Sequence, residues 1–304
     1  GIYLRFLTPK SLLPTSAVAP VVNNPLFPGD KSVKTEHLNF DLAPFTPPAK
    51  VALYTANNSL STQNLISTLT SKFSLTSPSP QLSNYWVSLD STTTLAFSPV
   101  TNIVSLNHQL PSPLLVSPDK NKALNTASDF LKTLGLNQLS ATIQDVTFLS
   151  GGDEPTSTAD PKLAHYYQIN FHLSVDNFPI LFNPKIISPA SVLENSSYQA
   201  VKAVFSAANL NLTAIGNNSP LSVDQAVANI KANQYTFYEY LDRRGLNLLP
   251  KYNHELFFTK ISLVYLYLPD QSRLLPYYLL SGDIRYDEPS PIGTVQILTP
   301  AIGK

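Results

Sequence analysis

The sequence predicts an α+β protein in which antiparallel sheets are each covered by helices, set behind an extended proline-rich N-terminal arm. Three observations predict it. An amphipathic helix followed by several turn-linked strands recurs three times, with helices starting near 60, 119 and 222. Prolines crowd the segment before these units. The 304 residues are 43% hydrophobic and only 13% charged, which is enough apolar material for a packed core and suits two compact units or three small ones.

The arm spans 1–48 and holds Pro9, Pro14, Pro20, Pro25, Pro28, Pro44, Pro47 and Pro48. Proline fixes φ and removes a backbone donor, so the segment reads as extended chain rather than helix or central strand. It serves either as a spacer or as a strap packed across the domains. Ile2, Leu4, Phe6 and Leu7 favour burial.

The first helix covers 60–73, with Leu65, Ile66, Leu69 and Phe73 on one face. Strands at 85–89, 94–97 and 103–106 follow it. The second helix covers 119–134. Ser117 caps it, Pro118 suits the first helical position, Asp119 favours the positive end of the dipole, and Gly135 ends it. Strands are then expected at 142–149, 163–173, 178–182, 198–205 and 210–215, with Asp176-Asn177 as a tight hairpin turn. The 198–205 segment also carries a helical spacing, but strand is the preferred reading. The third helix covers 223–233, opened by a Ser222/Gln225 capping box. Strands at 256–268, 274–284 and 294–298 close the chain. The resulting domains are the arm at 1–48, an N-terminal domain at 49–116 and a C-terminal domain at 117–304. The last divides into subdomains at 117–220 and 221–304.

Composition excludes several functions. Lys+Arg and Asp+Glu both total 20, a balance that argues against a nucleic-acid binder. There are no cysteines, which removes disulfides, thiolate zinc sites and cysteine nucleophiles. The absence of methionine as well suits an oxidising, extracytoplasmic setting. A signal or membrane anchor upstream of Gly1 is expected. Sequons at Asn57, Asn195, Asn211 and Asn217 are within the frequency of chance in so Asn- and Ser-rich a chain.

No catalytic set emerges. The histidines, His37, His108, His165, His172 and His254, lack the i, i+4 spacing of a zinc-protease helix. His165 and His172 fall an odd number of residues apart in one strand and so face opposite sides. Gly151-Gly152-Asp153-Glu154 looks like the start of a cyclase signature, but Pro155 stands where an aromatic is needed. A nucleophile elbow and a phosphate-cradling glycine loop are both missing. Two acidic groups, Asp153/Glu154/Asp160 and Asp283/Asp287/Glu288, are candidates for a glycosidase-like pair, although sequence proximity alone does not set the separation such a pair needs, and the 153–160 loop is a candidate calcium site. Arg243-Arg244 is the one basic doublet, read as a helix-end or loop feature. No cofactor is expected.

Aromatics are richer. Tyr235, Tyr238, Tyr240, Tyr265, Tyr267, Tyr277 and Tyr278 are the candidate protein-contact surface, because tyrosine joins a large contact area to a polar tip. The competing reading is a core and rim of sheet aromatics.

A partial resemblance covers residues 119–285. Its pieces are the helix Ala127-Ser128-Asp129-Phe130-Leu131-Lys132-Thr133-Leu134-Gly135-Leu136, the Tyr166-Tyr167-Gln168 strand core and the Phe178-Pro179-Ile180 hairpin. The helix start Ser222-Val223-Asp224-Gln225-Ala226-Val227 and the strand pair through Tyr265, Tyr267, Tyr277 and Tyr278 complete it. Together they resemble PepSY-like and YycH/YycI-type bacterial extracytoplasmic proteins. The resemblance implies a membrane-anchored outer domain that restrains a sensor kinase, or a domain that inhibits or chaperones a peptidase. It supplies no catalytic residues. The arm and the low charge depart from that pattern. The expected function is therefore non-enzymatic binding or regulation of a membrane or cell-envelope protein through sheet surfaces, outside the cytoplasm. A carbohydrate-active or other hydrolase using the acidic loops, and a structural surface component, are the alternatives.

Overall fold

The computed structural model describes residues 33–58, 61–77, 83–115, 117–151, 155–182, 186, 188–206, 210–248, 250–251, 253–286 and 290–303. The first 32 residues, Asp153, Glu154, Asp287 and Glu288 lie outside them, and with them most of the arm, much of the candidate calcium loop and two members of the second acidic group.

Among the described residues the chain forms 17 strands and three α-helices. In order they are β1 (Leu38–Phe40), β2 (Val51–Asn58), α1 (Ser61–Lys72), β3 (Tyr85–Val87), β4 (Thr93–Ser98), β5 (Ile103–His108) and α2 (Lys120–Thr133). There follow β6 (Leu139–Ser140), β7 (Val146–Ser150), β8 (Ser157–Thr158), β9 (Ala164–Val175), β10 (Phe178–Phe182), β11 (Ala190–Glu194), β12 (Ala200–Phe205) and β13 (Leu210–Asn218). The chain ends with α3 (Val223–Lys231), β14 (Thr236–Asp242), β15 (Glu255–Leu268), β16 (Arg273–Arg285) and β17 (Gly293–Pro300).

This corrects the expected fold class. The molecule is mostly β, not an α+β assembly of separately covered sheets. The physical reason lies in strand pairing. The strands after α1 and the strands after α2 were read as separate meanders, yet β5 pairs with β12 in antiparallel register, Asn107 opposite Lys202. One sheet therefore absorbs both. Long strands, above all β9, β15 and β16, then carry far more of the chain than the three helices do.

Two compact units are present, each discontinuous in sequence. One is Gly1–Val51, Asn217–Leu263 and Pro276–Lys304; the other is Ala52–Gly216 and Val264–Leu275. The sequence boundaries at 48/49 and 116/117 divide consecutive runs, whereas these units are assembled from distant ones.

The second unit is built on an antiparallel sheet ordered β3-β4-β5-β12-β11-β9-β7-β8. Strand β9 is its spine. Along one edge β9 pairs with β7 and β6, along the other with β11 and β10. The β9–β10 turn uses Asp176 and Asn177 at φ 52° and 65°, the left-handed pair that matches strand twist in a two-residue hairpin. Alternate residues of this sheet, among them Leu95, Leu106, Ala203, Val192 and Ile169, form one core with Leu65 and Leu69 of α1 and Ala123, Ala127 and Leu131 of α2. The α2 cap is Asp119, whose carboxylate accepts from the Lys122 N–H at 3.0 Å, not Ser117. Gly135 follows the helix at φ 78°, a left-handed position suited to glycine. A smaller core joins Ile180, Phe182, Leu173, Ala56 and Leu210 to Tyr265, Tyr267 and Leu274. It is fastened by parallel pairing of β10 with β15 at Ile180–Phe182 and by β2 against β16 at Tyr54 and Thr55.

In the first unit β14 pairs with β17, and β17 with β16, all antiparallel. Strand β1 runs parallel to β15, Leu38 opposite Leu256, so this part of the expected arm is sheet. The Ser222/Gln225 capping box opens α3, with the Ser222 N–H donating to Gln225 Oε1 at 2.9 Å. Ala226 and Ile230 are its buried positions. Among the described residues no helix is long and apolar enough to cross a membrane.

Candidate functional site

Six of the seven tyrosines nominated as a contact surface are core residues, and for those six the sequence reading is corrected. Tyr235, Tyr240, Tyr265, Tyr267, Tyr277 and Tyr278 are all at most 8% exposed, and Tyr238 is half-buried. They divide between the units, Tyr265 and Tyr267 in the second and the rest in the first. Three of the hydroxyls have internal partners. Tyr265 donates to the Ala52 carbonyl at 3.0 Å and Tyr278 to the Leu221 carbonyl at 2.6 Å. Tyr267 sits edge-on to Phe182. The Tyr240 hydroxyl lies 2.6 Å from Nδ1 of the buried His254, with the two rings stacked. Burial pushes the phenol up, and burial followed by the Lys251 charge pushes His254 down. Both groups are therefore neutral, and the imidazole tautomer sets which of them donates. A buried, satisfied hydroxyl holds a fold together and offers nothing to a partner.

The remaining nominated groups are dispersed. His165 Nδ1 meets the Ser112 carbonyl at 2.7 Å, and His172 Nε2 meets the Asp145 carboxylate at 2.9 Å. These are separate structural ties. Asp160 caps a short turn by accepting from the Lys162 N–H. Arg244 pairs with Asp242 in its own turn. Among the described residues no three His, Asp or Glu side chains come together.

A concave feature among the described residues lies elsewhere, on the second unit. One face of the eight-stranded sheet is covered by α1 and α2 through the core described above. Alternation sends every second residue to the other face. There a hollow of about 990 Å³ opens, floored by β4, β5, β12, β11, β9 and β7. Register aligns Thr94, Asn107, Lys202, Leu193 and Gln168 as one row across successive strands. A second row runs Ser105, Val204, Ser191 and Asn170. Tyr166 and Leu149, opposite each other, complete the floor on the β7 side.

The strap at 108–111 contributes to the lining beside the floor. Three ties fix the strap and the residues just after it. The Asn195 side chain donates to the Pro111 carbonyl at 3.1 Å, Ser112 donates to the His165 carbonyl at 2.7 Å, and the Leu115 N–H donates to the Ala164 carbonyl at 2.9 Å. Gly151 allows His165 its place, because a Cβ there would lie 2.8 Å from the imidazole ring.

The chemistry of the hollow is that of recognition. Amides and hydroxyls alternate with aliphatic side chains, and among the described lining residues Lys202 is the only fixed charge. None of these residues was nominated for binding from sequence, although His108, Pro155, Tyr166 and Gln168 were named there for other reasons. The available signal was the alternation in β9, where Gln168, Asn170 and His172 interleave with Ile169 and Phe171; it reads equally well as an ordinary solvated face.

Behind the floor, at the β11–β12 bulge, stands Glu194, only 1% exposed. Its carboxyl lies 3.0 Å from Thr126 Oγ1 of α2. Burial pushes it up to about 7, against the lowering effect of that hydroxyl. It neighbours Asn195, which holds the strap.

No protein-family model matches the chain, and no curated protein matches it.

Proposed function

We propose that this protein is a non-enzymatic binding module acting outside the cytoplasm, and that it takes a segment of a partner protein into the open sheet face of its second unit. The observation that carries this reading is the composition of the hollow. A volume of about 990 Å³ is in the range of specific ligand sites. Its described lining offers neutral hydrogen-bonding groups, one lysine and aliphatic surface on paired strands, with no acid pair and no nucleophile–base couple among the described lining residues. The absence of thiols supports an oxidising location.

Photo-crosslinking in intact cells tests it. A crosslinking side chain at Val204 and one at Thr94 are expected to trap the same polypeptide. One at Asp129, on the exposed side of α2, is expected to trap nothing in common with them. Equal trapping from Asp129, or no adduct from either hollow position, would sink the proposal.

A further inference from the structure

We infer that the hollow receives an extended acidic segment and that Lys202 anchors one of its carboxylates; this deepens the binding role proposed above and rests on it. Lys202 projects from the middle of β12 between two neutral cross-strand partners, Asn107 and Leu193. It is exposed, and none of the described residues pairs with it. Among the described residues no carboxylate meets this exposed ammonium, and a carboxylate is the group that complements it.

The span of the polar row decides the size of the ligand. From Thr94 to Gln168 the row crosses four strand spacings, or about 19 Å at the usual separation of paired strands. A lone small acid covers a fraction of that, whereas about six residues of extended chain cover all of it. Neutral partners on either side of Lys202 suit peptide groups and small polar side chains, and Leu193 and Val204 suit aliphatic ones. An acidic glycan fits less well, because sugar rings favour stacking surfaces and Tyr166 is the only aromatic in the described lining.

Calorimetric titration of the full chain with capped hexapeptides tests the inference. Three probes share the sequence Ala-Ser-Val-X-Ser-Val, with Glu, Gln or Lys at X. At low salt the Glu peptide is expected to bind about fivefold more tightly than the Gln peptide, the scale of one accessible charge contact, and the Lys peptide least tightly. Lys202→Gln is expected to remove the Glu preference, so that the Glu and Gln peptides bind alike. Ser191→Trp, which fills the floor, is expected to weaken all three; if that variant fails to fold, Thr94→Trp at the end of the row replaces it. Equal binding of the Glu and Gln peptides, still lost on filling the floor, would overturn the acidic assignment and leave the binding role standing. Binding indifferent to both filling variants would overturn the role as well. Capture of trigalacturonate through Lys202 without any hexapeptide binding would overturn the peptide assignment in favour of an acidic glycan.

Discussion

At the scale of single residues, the most consequential group is Glu194. Thr126 has one hydroxyl hydrogen and three acceptors near it: the Lys122 carbonyl at 2.9 Å, the Ala123 carbonyl at 3.1 Å and Glu194 at 3.0 Å. If the helix carbonyls take that hydrogen, the carboxyl must itself donate, and it can do so only when protonated. Burial presses the same way, raising Glu194 from 4.5 to about 7. Below pH 4.5 the group is neutral in folded and unfolded chains alike and costs nothing. As pH rises from 4.5 to about 7 the unfolded chain ionises first, so stability falls, and the penalty is complete above 7. Glu194→Gln is therefore expected to raise stability at pH 8 by up to about 3 kcal/mol and to leave it nearly unchanged at pH 4.5. Urea unfolding at the two pH values measures this, and a gain that is equal at both would contradict the protonation argument. Nothing in Ser191-Val192-Leu193-Glu194-Asn195 marks that acid as buried. Lys202 likewise sits in an unremarkable strand, because its meaning comes from Asn107 and Leu193, which lie far away in sequence or across a turn.

Elements tell a different story about legibility. The three helices lie where the apolar periodicity places them, although α2 is capped by Asp119 and not by Ser117, because helix signals are local: i, i+4 spacing, a capping box, a glycine stop. Many of the strands following them were also readable, but β1, β2, β11 and β14 were not among those expected. What escaped was pairing. Strand β2 finds its partners in β13 and β16, and β1 finds β15, more than 200 residues on, in parallel register. No local pattern encodes such a match. The run at Thr236–Asp242 was readable as aromatic but neither as a strand nor as buried, since aromatic content alone does not say which face meets a core. The glycines mark where strands close up. A Cβ on Gly282 would fall 2.0 Å from the Phe257 carbonyl oxygen, and the obstacle is backbone, which cannot swing aside. Gly282→Ala is expected to cost about 3 kcal/mol, at the upper end of overpacking effects. Gly216→Ala, where a Cβ meets nothing within 4 Å, is expected to stay within about 0.5 kcal/mol of wild type. Paired denaturation midpoints compare them; similar losses at both would mean that the close approach of β15 and β16 does not matter.

For the whole molecule, the governing fact is that the second unit borrows a remote segment. Residues Ala52–Gly216 make its sheet and hollow, but Val264–Leu275 supplies Tyr265, Tyr267 and Leu274 to its smaller core. That segment also pairs in parallel with Ile180, Leu181 and Phe182 of β10 and in antiparallel register with Tyr54 and Thr55 of β2. A sequence-based cut that keeps only the continuous run would leave Ile180, Phe182 and Leu173 without their cover and β10 without its partner. Each large side chain returned to water loses about 1.5–3 kcal/mol, so three of them threaten a domain whose total margin is about 5–15 kcal/mol. The isolated 52–216 fragment is therefore expected to bind a hydrophobic dye and to unfold at clearly lower urea than the same fragment carrying 264–275 on a flexible linker. The linked form is expected to recover both a dye-silent surface and the peptide affinity of the full chain, because every residue flooring the hollow belongs to the 52–216 run. If 52–216 alone proves as stable as the linked form, the borrowed hairpin is decoration and the smaller core is not part of what holds the hollow in shape.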